Sequence, residues 1–526
     1  MIIFVTIMDK LLLAVLSGFL LAFSWPSIGF FPLIFIAFIP LFILENKCSN
    51  GKQIFWYSFL AFFIFNFITT YWIAHAALFG AVAAFVINSI LMAMVFWLIH
   101  KIKKTISNRL RYLFFIVGWI SMEYLHLNWD LSWPWLVVGN VFAHFPEIIQ
   151  WYEFTGFLGG SVWVLLINLL LFRFHQGSST KKNILFAGLV FSLPILLSYY
   201  LYVNFQRENN ETLNVVIVQP NVDPYSDKFT KGYQNQLADF IELARTKLTE
   251  ETDLLLGPET VLLERIWENQ LEATYSIGKF RELQIEFPKL HILLGATTYK
   301  MFENIEEITN TARQFRNQQL FYDVYNSAVF IPKEGDVQVY HKTKLVPGAE
   351  KMPFPSLLDP LAKIVVDLGG ISGSLGKSNY LNSFVVNEGA VVSPLICYES
   401  VYGDMKLGVT SLLAIITNDG WWKQTAGYRQ HFNYAALRAV EQRKSIIRSA
   451  NTGISGILNS RGDVLRQSEW DEKVCLTGDV HINNKATFYS RFGDYIGRIS
   501  VFIFVIFLSV SFVNKRLAHK NPTFKK

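Results

Sequence analysis

The chain has 526 residues, of which 52% are hydrophobic and only 17% charged, with a net charge of +6. Soluble domains carry roughly 25% charged residues, so this composition excludes an ordinary soluble globular protein and points to a membrane one. The three cysteines, Cys48, Cys397 and Cys475, lie at distant positions that do not suggest a disulfide framework or a zinc site.

No Asp, Glu, Lys or Arg occurs from Leu11 to Leu44, and Trp25-Pro26 breaks this run into two spans. Lys10 before the run and Ser24 near its end resemble a cleaved signal peptide. A second apolar span follows at once and argues against cleavage. The stretch from Gln53 to Ile99 is also free of those four residue types. At roughly 20 residues per span it holds two helices, with a break near His75 to Gly80. Shorter apolar runs cover Tyr112 to Met122, Gly156 to Phe172, Ile184 to Phe205 and Ile499 to Val513. The expectation is eight spans, seven before a long polar region and one after it.

Lys and Arg collect in alternate loops: Lys47 and Lys52; Lys101, Lys103, Lys104, Arg109 and Arg111; Arg173, Lys181 and Lys182; and Lys515, Arg516, Lys520, Lys525 and Lys526. The loops near Ser24 to Gly29 and His75 to Gly80, and the loop from Asn128 to Tyr152, have none. The positive-inside rule then puts both termini in the cytoplasm and the polar region on the other side of the membrane. A transporter is the natural rival for such a chain. Transport sites usually need ionisable groups or broken helices at mid-membrane depth, and the interiors of these spans contain almost none.

From Glu211 to about Asn484, apolar β-rich runs alternate with helical patterns. "LNVVIVQP" (213–220), "TDLLLGPE" (252–259), "KLHILLGATTY" (289–299), "YNSAVFIP" (325–332), "GAVVSPLIC" (389–397), "SLLAIITND" (411–419) and "SIIRSAN" (445–451) read as strands, and "SGILNSRGDV" (455–464) closes the series. "YQNQLADFIELARTKL" (233–248) and "YRQHFNYAALRAVEQRK" (428–444) read as helices. Continuous apolar strands alternating with helices predict an α/β fold with covered sheets. Reactive groups in such folds sit where strands end, and Glu259 and Cys397 both fall there.

A free cysteine is by default a small buried hydrophobe. It becomes an acyl acceptor when a base takes its proton and donors hold the oxyanion. His291, His341, His431 and His481 stand in no protease-like motif. A desolvated carboxylate can serve as the base instead. Glu259 follows an apolar strand and a Pro, although the same position suits a carboxylate that caps a helix. Lys342 and Lys344 both lie in "VYHKTKLVPGAEKMPF" (339–354), a segment that also reads as an exposed loop. Locally the two lysines compete.

The segments around Glu259, Lys342 and Cys397, in that order, resemble the nitrilase superfamily. With the apolar spans they resemble the bacterial apolipoprotein N-acyltransferases over nearly the whole chain. "IVQPNV" (217–222), "GPET" (257–260), "CYES" (397–400), "TNDGWW" (417–422), "QH" (430–431), "RAVEQRKSIIRSANTGISG" (438–456) and "TFYSRFGD" (487–494) carry the likeness. So does "YHKTKLVPGAE", set against the pattern Tyr-x-Lys-x-x-Leu-Val-Pro-Phe-Gly-Glu. That alignment selects Lys342 over Lys344 and brings Glu350 onto a second glutamate of functional weight. Gly348-Ala349 departs from the usual Phe-Gly, Gly420 stands where Ala is common, and "GYRQH" lacks a Pro.

The resemblance implies an eight-helix transmembrane bundle carrying a nitrilase-like αββα domain. It divides the chain into a membrane part (1–210), an extracytoplasmic catalytic part (211–484) and a last span with a basic tail (485–526). It also implies a place in the bacterial inner membrane. It assigns Glu259 as base, Lys342 as oxyanion partner and Cys397 as nucleophile, with Glu350, Tyr398 and Glu399 in support. Trp421 and Trp422, after a strand end, are candidate lining of the substrate entry. The implied reaction moves an acyl chain from a phospholipid, through a thioester, to a diacylglyceryl apolipoprotein. It needs no metal or organic cofactor, and no nucleic acid is expected. A membrane-anchored amidase with the same three residues is the alternative. His431, Arg438 and Arg448 read as structural.

Overall fold

The computed structural model describes residues 2–103, 106–177, 180–205, 211–223, 232–315, 319–355 and 374–520. Lys104, Lys525 and Lys526 of the basic loops lie outside them. The chain divides into two compact units, one of Met1–Ala74, Leu78–Val203 and Asp494–Lys526, the other of His75–Ala77 and Asn204–Gly493.

The first unit is helical: α1 (Ile2–Ser24), α2 (Ile39–Lys47), α3 (Gly51–Thr70), α4 (Leu78–Ile102), α5 (Asn108–Leu127), α6 (Tyr152–His175), α7 (Lys181–Val203) and a C-terminal helix, Tyr495–Lys520. Among the described residues six of these are long and apolar enough to cross a membrane: α1, α3, α4, α6, α7 and the C-terminal helix. The other two expected spans are not among these six helices, and each has a physical reason. The run after Trp25 folds as a 3-10 turn, Phe31–Phe35, and then the nine-residue α2. Pro32 and Pro40 sit in the first turns of these pieces, where a missing N–H is tolerated, and so divide the run. Asn168 of α6 repairs the gap. Its Nδ2 donates to the Ile34 carbonyl at 2.8 Å, and its Oδ1 accepts from the Phe38 N–H at 2.9 Å. The other such span is α5, which carries Arg111 near its start and the buried Glu123 near its end. Glu123 Oε1 accepts from Trp119 Nε1 at 2.9 Å and from the Val138 N–H at 2.8 Å.

The second unit runs β1 (Thr212–Gln219), α8 (Tyr233–Arg245), β2 (Leu254–Leu256), β3 (Leu262–Trp267), α9 (Tyr275–Glu286), β4 (His291–Phe302), β5 (Arg313–Gln314), β6 (Phe321–Ile331), β7 (Gln338–His341), β8 (Phe384–Asn387), β9 (Ala390–Ile396), β10 (Leu412–Thr417), α10 (Ala426–Gln442), β11 (Ser445–Ala450), β12 (Gly456–Leu458), β13 (Val464–Gln467) and β14 (Val474–His481). One sheet has the order β14-β1-β2-β4-β6-β5, with β3 on β4 and β7 on β6. The other has the order β13-β12-β11-β10-β9-β8. The two-residue period of a strand sorts β1 between two cores. Leu213, Val215 and Ile217 face Val392, Ile396, Leu412, Ala414 and Ile416 of the other sheet. Val216 and Val218 face Leu237 and Phe240 of α8 and Phe280 of α9. Fully burying each such side chain contributes about 1.5–3 kcal/mol, so the strand ends between the layers are firmly held.

Candidate active site

Three strand ends and one turn build the site. Pro258 and Glu259 follow β2. Gly295 of β4 passes so close that a Cβ there would lie 2.5 Å from the Glu259 Cα and 2.6 Å from the Thr260 N. Thr260 takes the left-handed backbone, φ 52, which a β-branched residue adopts only when its surroundings impose it. Lys342 follows β7 and is 1% exposed, and its N–H donates to the Asn326 carbonyl at 2.9 Å. Cys397 follows β9 and opens a 3-10 turn, Cys397–Val401, with φ 50. Cys397 as a residue is partly exposed, while its thiol is desolvated and interacts with the charges of Glu259 and Lys342 and with the Thr417 side chain.

The structure therefore brings Glu259, Lys342, Glu350 and Cys397 together. Lys342 Nζ lies 2.8 Å from Glu350 Oε1 and 3.5 Å from Glu259 Oε1. Glu350 is held in a turn: its Oε2 accepts from the Val346 N–H at 2.8 Å, and its own N–H donates to the Val346 carbonyl at 2.9 Å. Gly348 has φ 80 inside this turn, so the departure at Gly348-Ala349 places glycine where left-handed backbone is needed.

Glu399 points into the protein. Oε1 accepts from the hydroxyls of Tyr340 and Thr343, both at 2.6 Å, and from the Thr343 N–H at 2.7 Å. Oε2 accepts from the Ile396 N–H at 2.8 Å. The carboxylate thus latches the Lys342 loop to the Cys397 turn. Tyr398 is buried against Tyr402, with ring centroids 5.3 Å apart. Trp421 and Trp422 are half-buried in the 3-10 turn after β10.

Residues 215–486 match the family model described as carbon-nitrogen hydrolase. The chain belongs to that family. Residues 17–170 match a second model, the apolipoprotein N-acyltransferase N-terminal domain. Curated proteins named apolipoprotein N-acyltransferase align along nearly its whole length. The one from Chlorobaculum tepidum is 28% identical over 96% of this chain and 97% of the relative. The one from Geobacter metallireducens is 26% identical over 97% and 96%. The one from Thermotoga maritima is 27% identical over 95% and 94%. A solved glutamine-dependent NAD+ synthetase from Acinetobacter baumannii shares 14% identity and a TM-score of 0.32, covering 51% of this chain and 45% of the synthetase.

Electrostatics divide the roles in this hydrolase-family site. Burial pushes the Cys397 thiol well above its ordinary value; Glu259 adds to that and Lys342 offsets only part. Burial works against the Lys342 ammonium, yet Glu350, Glu259 and Cys397 outweigh it and hold the group above its ordinary value. Lys342 therefore stays charged at neutral pH, and no thiolate stands ready. With one cation and two carboxylates the formal sum is +1 − 2 = −1. A thiolate formed by losing its proton to bulk water would take it to −2, an uncompensated buried charge. Moving the proton to Glu259 keeps it at −1.

One member of the site was not found from sequence. Asn326 Nδ2 donates to Glu259 Oε1 at 2.7 Å and to Glu350 Oε1 at 2.8 Å. Its signal was a lone amide in the apolar run "YNSAVFIP".

Proposed function

We propose that this chain is an N-acyltransferase. It moves a fatty acyl chain from a phospholipid, through a thioester on Cys397, to the α-amino group of a diacylglyceryl-cysteine at an apolipoprotein N-terminus. What carries the reading is the joining of the two halves: a Glu–Lys–Cys cluster in a carbon-nitrogen hydrolase domain, in a chain whose described residues include six membrane-length helices. Relatives that match from end to end are named for this activity.

In the first step Glu259 takes the thiol proton as sulfur attacks the ester carbonyl. Lys342 and the Tyr398 N–H stabilise the oxyanion. The ester C–O bond then breaks, Glu259 returns the proton to the leaving oxygen, and a lysophospholipid departs. In the second step the amine attacks the thioester and gives a proton to Glu259. The C–S bond breaks and the thiol is restored. No redox partner is consumed, because an activated thiol suffices for acyl exchange.

Two lipid-bound substrates account for the helical unit. In this reading α5 and the broken Phe31–Lys47 segment complete eight crossings, both termini are cytoplasmic, and the catalytic domain faces the periplasm from the inner membrane. In this reading the domain limits are 1–210, 211–484 and 485–526, and Trp421 and Trp422 line the substrate entry. A membrane-anchored amidase would use the same residues but pass the acyl group to water, a reaction that does not account for so many apolar helices.

The test is incubation of the purified protein with acyl-labelled phospholipid alone. Label retained on Cys397 and released by neutral hydroxylamine supports the transferase. Rapid release of free fatty acid, or label on the Cys397→Ala variant, overturns it.

A further inference from the structure

Behind the nucleophile lies a buried polar chain that the mechanism above does not use. His431 Nδ1 is 2.9 Å from Asp419 Oδ1, and His431 Nε2 is 2.8 Å from Ser400 Oγ. All three side chains are at most 1% exposed. The order Asp–His–Ser matches that of a hydrolytic triad, but Ser400 cannot reach a substrate. Its Oγ donates to the Cys397 carbonyl at 2.8 Å, and that same carbonyl lies 3.2 Å from His431 Nε2.

We propose that Asp419, His431 and Ser400 are positioning residues that aim the Cys397–Tyr398 peptide, and through it the oxyanion donor. This rests on the acyl-transfer reading for its role, not for its geometry. A trans peptide is planar, with its C=O and N–H pointing in opposite directions. Fixing the Cys397 carbonyl from one side therefore fixes where the Tyr398 N–H points on the other. The turn needs such a constraint, because Cys397 has φ 50. Left-handed backbone at a non-glycine residue persists only when its surroundings over-determine it.

The far end of the chain is anchored as well. Asp419 Oδ2 accepts from Arg448 Nη2 at 2.6 Å, Oδ1 accepts from Thr417 Oγ1 at 3.0 Å, and the Asp419 N–H donates to the Thr452 carbonyl at 3.0 Å. Gly453, with φ 140, leaves room for this carboxylate, since a Cβ there would lie 2.8 Å from Oδ2. Arg448 Nη2 is also 3.1 Å from His431 Nδ1, and the Trp422 ring closes the open side at 5.5 Å. The imidazole thus has a fixed ring plane and a fixed partner at each nitrogen.

Two reactions of Cys397 separate this role from a general structural one. Acylation by a p-nitrophenyl ester needs an oxyanion donor; alkylation by iodoacetamide does not. In Ser400→Ala and His431→Gln, burst-phase acylation should fall roughly 10- to 100-fold, less than the ~10²–10³ lost when an oxyanion donor is removed outright. The fall should be in kcat with KM little changed, and alkylation should stay within about twofold of the parent chain. His431→Gln, which offers an amide near the Nε2 position, should retain more activity than His431→Ala. If acylation and alkylation fall by the same factor, or neither falls, the assignment is wrong. Should His431 variants not fold, Ser400→Ala decides by the same two rates. The ester burst needs no phospholipid, so failure of the lipid reading and failure of this one are distinguishable.

Discussion

The Lys342 ammonium lies nearer Glu350, at 2.8 Å, than Glu259, at 3.5 Å. The closer carboxylate holds the cation and leaves Glu259 free to take a proton. Glu350→Gln removes that hold while keeping shape and an acceptor for the Val346 N–H. Lys342 should then settle on Glu259 and occupy the base. Thioester formation in a single turnover is expected to fall at least ~100-fold, within the 10²–10⁴ range of general-base effects. Glu350→Asp should fall between the two. A Glu350→Gln variant that acylates at the parent rate would remove Glu350 from the mechanism.

The upward push on the Cys397 thiol has a definite sign. Its protonated form is favoured, so without a base the thiol resists alkylation through the ordinary thiol range near ~8.5 and reacts only above it. In Glu259→Gln the pH profile of iodoacetamide inactivation should have its midpoint above that value. The parent chain, which can pass the proton to Glu259, should react measurably faster at pH 7. A variant midpoint at or below ~8.5 would mean that burial does not control this thiol.

Gly295 tests whether the position of the base matters as much as its identity. An alanine Cβ there meets only backbone: Glu259 Cα at 2.5 Å, Thr260 N at 2.6 Å and Pro258 O at 2.7 Å. Backbone cannot swing aside as a flexible side chain can, so β4 and the Glu259 turn must separate. Gly295→Ala should lower stability by ~1–3 kcal/mol through overpacking and reduce acylation at least tenfold. Denaturation midpoint and burst rate measure the two separately. Unchanged values in both would show that the close approach is not needed.

Much of the second unit could be read from the sequence because its strands are continuous apolar runs. β1, β2, β4, β6, β9, β10 and β11 fall on segments read as strands. β14 escaped because its run "VCLTGDVH" mixes polar and apolar residues, and its pairing with β1 spans more than 250 residues. The broken second span also escaped, since hydropathy alone does not register how Pro32 and Pro40 divide a run or how Asn168 supports the gap. Within the site, Glu259 and Cys397 stood at the ends of apolar strands, whereas Lys342 was separated from Lys344 only by the family resemblance. Asn326 was not found, because its role depends on two carboxylates 67 and 24 residues away. Glu399 could be located but not interpreted: nothing in "CYES" tells that its carboxylate turns inward to the Tyr340 hydroxyl.

His291, on β4, links the core beneath the site to pH. It is 5% exposed, its ring stacks on Phe330 at 5.6 Å, and its Nδ1 accepts from the Lys333 N–H at 3.4 Å. Burial, with Lys333 adding to it, pushes the imidazole down to about 4. Above the ordinary value near ~6.5 it is neutral in the folded and unfolded chain alike, and pH has no hold on it. As pH falls below that, the unfolded chain binds a proton that the folded chain refuses until about 4, so stability is lost across this window. Protonation would also turn Nδ1 into a donor facing the Lys333 N–H. The thermal midpoint in detergent should therefore drop between pH 6.5 and 4, by a few degrees more in the parent than in His291→Asn. Parallel curves for the two proteins would show that His291 does not titrate with unfolding.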